Sequence, residues 1–377
     1  MDFDLSYEQG LLREAARGAL ARHKTVEAAR AALEDPTALP DLWPTAVDAG
    51  WPGLLIGDEH GGAGLGAFDA LLVAEECGRV LAAVPLLGLI PATAILDTAG
   101  DESLPAIAQG DLRPAYVPVR PPGDVESGWT VDPRRGFARP PAPHATVDGG
   151  TVTLHGDVAF VPDAPGAGLL VGIGVTDAGD PVAVAVAADA PGVTVEPVKR
   201  YDATRSLGHV SFAGARGRRL EADEVALADA WYLAQALIAA ESLGSVETAL
   251  DVSVEYAKER HTFGRAIGSY QAVKHALTEV LRQLDNGRSL LYYAGWSRIG
   301  APEEFPLAAS AARSVAGRAL DQAARTMISV HGGTGATWEH DAPLYFRRAQ
   351  LSRRLLGGTN GATDRVAGEL LAQATAA

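Results

Sequence analysis

Apolar residues recur at intervals of three or four over the first part of the chain, as they do on the buried face of a helix. The residues that open this pattern are Leu5, Leu11, Leu12 and Ala15. Ser6, followed three residues later by Gln9, predicts a capping box at the helix start. The same period predicts a second helix from Asp41 and a third over Ala67–Leu81. The chain therefore begins with a helical region.

Between Arg113 and Pro143 the helical period ends and prolines become frequent, which is typical of a loop-rich entry into another domain. Short runs rich in β-branched residues follow, separated by turn residues. The runs are 151–154, 158–161, 169–175, 182–187, 193–198 and 210–212. A spacing of roughly 8–12 residues predicts an antiparallel sandwich or barrel rather than alternating strand–helix units.

From residue 221 to the end, alanine-rich segments return to the helical period. They predict helices over 226–259, 270–295, 304–330 and 363–373, with the long ones packed as an antiparallel bundle. The predicted fold class is α+β and multidomain. It consists of an N-terminal helical domain (1–113), a middle antiparallel β domain (114–220) and a C-terminal four-helix bundle domain (221–377).

The composition is that of a folded, acidic protein. Of the 377 residues, 47% are hydrophobic, and the formal net charge is −15. This balance excludes intrinsic disorder and argues against a nucleic acid or an anionic membrane as partner. The longest apolar run, Val84–Leu96, is too short to cross a bilayer. The single cysteine, Cys77, cannot form an internal disulfide, and the acidic start is unlike a targeting peptide, so a cytoplasmic protein is expected.

Most standard catalytic motifs are absent from the sequence. It contains no His-Glu-x-x-His, Cys-x-x-Cys, P-loop or Gly-x-Ser-x-Gly motif, so metal, NTPase and common hydrolase sites are not expected. Gly62, Gly64 and Gly66 imitate a dinucleotide fingerprint, but no strand–turn–helix unit frames them. We interpret them as a loop that connects two helices.

Three segments together form a recognisable pattern. Residues 260–271, Arg-His-Thr-Phe-Gly-Arg-Ala-Ile-Gly-Ser-Tyr-Gln, closely resemble the Arg-x-x-Phe-Gly…Gln segment of acyl-CoA dehydrogenases. Residues 331–335, His-Gly-Gly-Thr-Gly, resemble the glycine-rich turn of that family. In the N-terminal part, Gly50-Trp51, residues 58–64 and Glu75-Glu76-x-Gly78 match the family pattern as well. The resemblance covers essentially the whole chain, and the fold it implies agrees with the one predicted from the hydrophobic pattern.

The resemblance implies an FAD-dependent oxidoreductase that desaturates an acyl thioester between its α and β carbons. In such an enzyme a carboxylate base removes the α-proton, and the β-hydrogen leaves as hydride to the flavin. The implied partners are an acyl-CoA or acyl-carrier thioester and an electron-transfer flavoprotein or a similar electron acceptor. A role in fatty acid or steroid metabolism is expected.

The same motifs supply candidate cofactor residues. In the family, the arginine that matches Arg260 reaches the FAD pyrophosphate of the neighbouring subunit, which implies a homo- or hetero-oligomer, either a dimer or a tetramer. The other candidates are Phe263, Gln271, Gly332, Gly333 and Thr359. A plainer interpretation stays open, in which Arg260 is a cation at a helix C-terminus and the two glycines form a simple turn.

The catalytic base of the family is missing from its usual place. The usual glutamate precedes a Gly-Thr pair near the C-terminus, and that position is Gly357 here. An alternative family position aligns with Ala234, which is equally inert. Glu241 lies two helical turns beyond Ala234 on an apolar face, where desolvation would raise the pKa of a carboxylate as a general base requires. Glu241 is therefore the candidate base, and the alternative is a buried structural carboxylate held by an arginine or a backbone donor.

A second departure from the family lies at the entry to the β domain. The family has a strand with Thr and Ser hydroxyls that touch the flavin ring, and the nearest stretch here, residues 115–124, lacks them.

Three hypotheses about the function of the chain remain. The chain is an active dehydrogenase with its base at Glu241 or at another relocated carboxylate, a non-catalytic partner subunit of a mixed tetramer, or a flavoenzyme of the same fold with altered chemistry.

Overall fold

A computed structural model describes residues 5–118, 142–199 and 201–376 of the chain. The first region is helical, as its apolar period predicts. Its helices are α1 Tyr7–Ala21, α2 Thr25–Ala31, α3 Trp43–Asp48, α4 Ala67–Arg79, α5 Leu86–Thr98 and α6 Leu104–Ala108.

The start of α1 contains the predicted capping box. The Ser6 hydroxyl accepts a hydrogen bond from the Gln9 backbone N–H at 3.2 Å, and the Gln9 side chain accepts one from the Ser6 N–H at 2.9 Å. These N–H groups at the helix start would otherwise have no partner within the helix. The prediction made from these two residues is confirmed.

The middle region is a curled sheet. Its strands are β1 Pro114–Val117, β2 His144–Asp148, β3 Thr151–Pro162, β4 Leu169–Val175, β5 Pro181–Ala187, β6 Val193–Pro197 and β7 Leu207–Leu220. β3 pairs antiparallel with β2 and β7, β5 pairs antiparallel with β4 and β7, and β6 pairs antiparallel with β7. Because β4 also pairs with β1 and, at one residue, with β2, the sheet curls back on itself.

The sheet differs from the pattern-based prediction in several details: β1 and β2 were not predicted, and β7 extends well beyond the run 210–212. The runs 151–154 and 158–161 form one strand, β3, whose register shifts after Leu154. Gly156 beside this shift has φ +139°, a conformation that glycine adopts without strain and that suits a bulge. In addition, β1 pairs with β4 in parallel, because the alternation of side chains along a strand does not specify the direction of its neighbour.

Helices return after the sheet: α7 Glu224–Glu259, α8 Gln271–Gly300, α9 Phe305–His331, α10 Ala342–Ser352 and α11 Gly358–Ala376. A small hairpin, β8 His261–Thr262 with β9 Arg265–Ala266, joins α7 to α8. The predicted helices are present, and α11 begins at Gly358 rather than at Thr363. The sequence pattern missed α10 because the buried face of this helix includes Arg348, which interrupts the apolar period.

Helix α7 is buried over most of its length and crosses α4 closely. Gly78 of α4 and Gly244 of α7 allow this approach. A methyl group on Gly78 would overlap the Glu241 carbonyl oxygen, and one on Gly244 would overlap the Glu75 carbonyl oxygen. Across the same contact the Ser245 hydroxyl donates to the Gly78 carbonyl at 2.7 Å. The small residues at this level of α7 therefore serve helix packing.

Glu75 and Glu76 of α4 are buried and ion-paired. Arg288 of α8 lies 2.7 Å from Glu75, and Arg17 of α1 donates to Glu76 at 2.7 and 3.0 Å. Burying a carboxylate is costly unless it is paired and hydrogen-bonded in this way. The two glutamates therefore hold α1 and α8 against α4.

Replacing Gly78 with alanine tests the close crossing of α4 and α7. The added methyl group has no free space, so we expect a loss of about 1–3 kcal/mol in the free energy of unfolding, measured by urea denaturation. Gly18→Ala in α1 is the matched control, because nothing lies within 4 Å of its added methyl group and alanine favours a helix. Equal stability of Gly78→Ala and wild type would contradict the crossing.

Candidate functional site

The end of α7 leads directly into the motif at residues 260–271. Arg260 leaves the helical conformation, with φ −75° and ψ 125°, and its N–H donates to the Tyr256 carbonyl at 2.9 Å. The Ile267 N–H donates to the Arg260 carbonyl at 2.7 Å, which closes the hairpin onto the helix end. The Arg260 side chain is exposed, and within the described part of the chain it meets no carboxylate. Its guanidinium is available to an anion from outside the chain.

The hairpin presents an aromatic ring to solvent. Phe263 lies at its tip with 93% of the residue exposed and with φ +48°, and Gly264 follows with φ +78°. Nearly all of the ring surface is therefore open to a ligand or to another chain. Gln271, also exposed, is the first residue of α8 and lies at the base of the same hairpin.

The glycine-rich turn ends α9. Gly332 has φ +61° and ψ −138°, a combination that side-chain-bearing residues avoid, and nothing lies within 4 Å of its missing Cβ. Gly332 and Gly333 are both exposed. A ligand can therefore approach the backbone of this turn closely.

These two segments lie together at one end of the helical bundle. The ring of Tyr256, one turn before Arg260, contacts the ring of His331, which immediately precedes Gly332, with 4.2 Å between the ring centroids. Helices α7 and α9 thus bring the hairpin and the glycine turn side by side. We call the resulting set of exposed candidates the α7–α9 surface; it comprises Arg260, Phe263, Gln271, Gly332 and Gly333.

Thr359 lies apart from the α7–α9 surface. It is buried in the first turn of α11, where its hydroxyl contacts the position of a Cβ on Gly317 in the middle of α9. Gly317 and Gly332 are separated by about 22 Å along α9, at 1.5 Å per residue. Thr359 instead lines a groove of about 580 Å³ along α9, whose basic and polar walls include Arg318, Arg325, Arg353 and Asn360. The candidate cofactor residues therefore form two separate groups on this chain.

Glu241 lies in a buried ion pair. The residue is 2% exposed, and its carboxylate accepts a hydrogen bond from the Arg205 guanidinium. Arg205 is equally buried and also donates to the Ser352 hydroxyl at 3.2 Å. Burial disfavours the charged guanidinium, but Glu241 and Asp202 together hold the pKa of Arg205 above its ordinary value. This arrangement is the one that the structural alternative for Glu241 describes, and its role as a base stays a hypothesis.

A second buried pair lies next to the first. Arg348 of α10 donates to Asp202 at 2.7 Å and also to the Thr204 hydroxyl. Burial raises the pKa of Asp202, but the charge of Arg348 and the hydrogen bond from Thr204 outweigh it and hold that pKa below its ordinary value. Sequence analysis missed Arg205 and Arg348, because a single basic residue in an irregular loop or a short helix carries no periodic signal.

At the usual base position, the backbone itself is unusual. Leu356, Gly357 and Gly358 are consecutive residues with φ +50°, +82° and +75°. A Cβ on Gly357 would lie 3.4 Å from the Trp231 indole of α7. The Gln235 side-chain amide, one turn further along α7, donates to the Leu356 carbonyl at 2.6 Å. The remaining space that these residues enclose is only about 20 Å³, enough for one water molecule.

Arg313 holds this loop from the opposite side. It is fully buried in α9, and its guanidinium donates to the Leu355 carbonyl at 3.3 Å and to the Ser352 carbonyl. Burial, together with the nearby charge of Arg205, lowers the pKa of Arg313 to about 9. A cation at the end of α10 is favourable because the last carbonyls of a helix carry partial negative charge.

The other expected positions are placed as follows. Ala234 is fully buried in α7, one turn beyond Trp231. Of the stretch 115–124 that was compared with the flavin-binding strand, residues 115–117 belong to β1 and are buried, and residues 119–124 lie outside the described residues.

Within the described ranges, no group of three or more His, Cys, Asp or Glu side chains is arranged to hold a metal ion. No helix of those ranges is both long and apolar enough to cross a membrane.

Two family models match the chain. Residues 6–108 match the model of the acyl-CoA dehydrogenase N-terminal domain, and residues 230–371 match the model of the acyl-CoA dehydrogenase C-terminal domain. Among characterised relatives, acyl-CoA dehydrogenase IpdE2 of Mycolicibacterium smegmatis is 31% identical over 362 residues, which cover 94% of this chain and 96% of the relative.

Solved structures match along nearly the whole length. A variant of the Tcur3481-Tcur3483 steroid ACAD has a TM-score of 0.85 at 28% identity and covers 98% of this chain and 99% of its own. The ChsE4-ChsE5 complex from Mycobacterium tuberculosis has a TM-score of 0.81 at 25% identity, with the same coverage of 98% and 99%. The predicted fold class, with N-terminal helices, a β domain and C-terminal helices, is confirmed.

The Arg205–Glu241 pair is tested by removing one charge and then both. Arg205→Met leaves Glu241 buried without a counter-charge, so we expect a loss of about 3–5 kcal/mol in the free energy of unfolding. The double variant Arg205→Met/Glu241→Leu removes both charges and should recover most of this loss, since apolar replacements of a buried pair are often neutral. Urea denaturation of wild type, of the single variants Arg205→Met and Glu241→Leu, and of the double variant measures the effect. Additive losses in the double variant would contradict a direct pairing.

Proposed function

The chain belongs to the acyl-CoA dehydrogenase family, and from this premise we propose that it is one subunit of a heteromeric acyl-CoA dehydrogenase. In this proposal the chain helps to complete an FAD site, and a partner chain of the same family carries the catalytic carboxylate. The enzyme as a whole performs the FAD-dependent α,β-dehydrogenation of an acyl-CoA thioester.

The observation that carries the proposal is the closed loop at Gly357. Dehydrogenation requires a carboxylate that takes the α-proton, and the usual place for it is a glycine with φ +82° against the Trp231 indole. A glutamate there would have to adopt a left-handed backbone, which side-chain-bearing residues rarely do, with its Cβ already in van der Waals contact with the indole. The alternative position, Ala234, carries no proton acceptor and is fully buried.

Glu241 is poorly suited to replace that base. Its carboxylate already accepts from the Arg205 guanidinium, and neither side chain reaches solvent to any extent. A general base has to lie within hydrogen-bond reach of the proton that it removes. The ion pair would have to open and leave Arg205 without its partner, which costs several kcal/mol.

The residues of the α7–α9 surface suit a dinucleotide cofactor shared between subunits. Arg260 supplies an unpaired guanidinium for a pyrophosphate, Phe263 an uncovered aromatic face, and Gly332 and Gly333 a turn that admits close approach. When bound, FAD supplies the hydride acceptor of the reaction. On this chain Thr359 and the arginine-lined groove along α9 lie away from that surface and would face a different part of the assembly.

The relatives support both the assembly and a substrate class. Two of the matching structures are named for pairs of proteins, Tcur3481-Tcur3483 and ChsE4-ChsE5, and the former is a steroid ACAD. We therefore propose that the complex acts on a steroid-derived acyl-CoA thioester, and that this class should be assayed first.

Purifying the chain alone and together with a family member that carries the glutamate tests the proposal. We expect stable flavin, seen as visible absorbance after desalting, only in the co-purified complex. Anaerobic addition of a steroid-derived acyl-CoA should then bleach the flavin of the complex. Replacing the partner's glutamate by glutamine should slow bleaching by about 10²–10⁴-fold.

The same assay distinguishes this proposal from the hypothesis that Glu241 is the catalytic base. If the isolated chain bleaches with an acyl-CoA, and Glu241→Gln abolishes this per bound flavin, then the base is Glu241 and the partner-subunit proposal is wrong. Light scattering that shows a flavin-loaded monomer would equally contradict a shared site.

Arg260→Ala tests the cofactor role of the hairpin. Loss of a charge-assisted contact to a pyrophosphate should release flavin from the complex on desalting, while the far-ultraviolet circular dichroism stays unchanged because the side chain is exposed. Arg22→Ala, also exposed but at the end of α1, is the matched control and should retain flavin. Full flavin retention by Arg260→Ala would contradict the assignment.

A further inference from the structure

Three aromatic rings lie in a row beneath the glycine turn. The ring centroids of Tyr256 and His331 are 4.2 Å apart with the planes tilted by 32°, and those of His331 and His340 are 4.3 Å apart with a tilt of 52°. The rings come from different segments, namely the last turns of α7, the end of α9 and the loop before α10. His331 is the central ring and is only 5% exposed. We call this arrangement the ring stack.

Hydrogen bonds fix the two histidines of the ring stack. His331 Nδ1 lies 2.7 Å from the Met327 carbonyl one turn back in α9, to which it donates. His340 Nδ1 accepts from the Ala342 backbone N–H at 3.0 Å, so its proton is on Nε2. Each imidazole is thereby held in one tautomer and one orientation.

The ring stack connects both halves of the α7–α9 surface. Tyr256 accepts the backbone hydrogen bond from Arg260, and His331 is covalently bonded to Gly332. Gly335, at the far side of the turn, packs against the His331 Cβ so closely that a side chain would not fit. The ring contacts therefore link the backbone at Arg260 to the glycine turn.

We propose that the ring stack positions the glycine turn relative to Arg260 for FAD, and that Tyr256, His331 and His340 are positioning residues. The proposal rests on the proposed function, in that the α7–α9 surface binds FAD. Glycines cost the most backbone entropy to hold in one conformation, so an unsupported Gly332–Gly333 turn would bind a ligand only in a fraction of its states. The apparent dissociation constant rises in inverse proportion to that fraction.

Protonation of His340 should weaken the support that the ring stack gives to the glycine turn. The charged and titratable groups around the His340 ring are His331, Asp341 and Arg30 of α2. Arg30 is ion-paired with Asp341, and Tyr256 lies on the far side of His331. Burial, then His331 and Arg30, lower the pKa of His340 below its ordinary value of 6.5, against the opposite effect of Asp341. A protonated Nδ1 cannot accept from Ala342. The neutral stack is therefore complete above pH 6.5 and is lost as the pH falls through the lowered pKa.

Titration of FAD into the full chain, in the oligomer in which it purifies with its partner, tests the proposal. Truncation of the central ring in His331→Ala should raise the dissociation constant for FAD by about tenfold, as expected for the loss of two ring contacts. His331→Phe keeps an aromatic ring at this position and should restore most of the affinity. Melting temperatures are measured in parallel.

A matched control separates positioning from general loss of stability. Phe68 and Tyr292 form another ring pair, with centroids 5.0 Å apart, away from the α7–α9 surface. Phe68→Ala should lower the melting temperature and leave the dissociation constant for FAD unchanged. If Phe68→Ala weakens FAD as much as His331→Ala does at matched stability, the ring stack has no specific positioning role.

The pH dependence provides an independent readout. Flavin retention by wild type should fall as the pH drops below 6.5 through the lowered pKa of His340, whereas His340→Asn, which can accept from Ala342 but does not titrate, should show a smaller fall. A fall in flavin retention with pH that is as large in His340→Asn as in wild type would overturn the role of His340. If wild type binds no FAD, the proposed function fails together with this inference; if wild type and His331→Ala bind FAD equally, only this inference fails.

Discussion

The position of helix α7 depends on how buried charged side chains are neutralised inside an apolar bundle. Glu241 lies in the middle of α7, among buried side chains, and Arg205 reaches it from the loop before β7. The same guanidinium donates to Ser352 at the end of α10, so one residue connects the sheet with two helices. A single buried charge would cost more than the pair gains, and all three elements must therefore meet at this point. The loop at Gly357 and the start of α11 follow α10 directly.

The two ends of helix α7 differ in exposure, since one end packs against the buried loop at Gly357 and the other leads into the exposed hairpin. Near its N-terminal end, Trp231 closes the loop at Gly357. At its C-terminal end, about 44 Å away at 1.5 Å per residue, Arg260 begins the exposed hairpin. A chain built in this way can contribute contacts to a cofactor without carrying the proton acceptor of the reaction. Within the described residues the Arg260 guanidinium meets no carboxylate and the Phe263 ring is almost fully exposed, so both are available to a cofactor or to another subunit.

Local sequence signals were reliable where the interactions are local. Ser6 and Gln9 predicted the capping box, because both hydrogen bonds form between residues three apart. The motif at 260–271 folds as a hairpin onto the end of α7, and its role in binding a cofactor stays a prediction. Where a buried arginine interrupts the apolar period, as Arg348 does in α10, the same reasoning failed.

The sequence by itself determined the order of helical and sheet regions, the family, and the absence of a glutamate at residue 357. Only the tertiary structure decided that Glu241 is paired with Arg205, that Trp231 closes the loop at Gly357, and that Thr359 lies apart from Arg260. The physical reason is distance along the chain. Periodicity and motifs report interactions within a few residues, whereas the contacts that assign a role to each side chain join segments that are tens to more than a hundred residues apart.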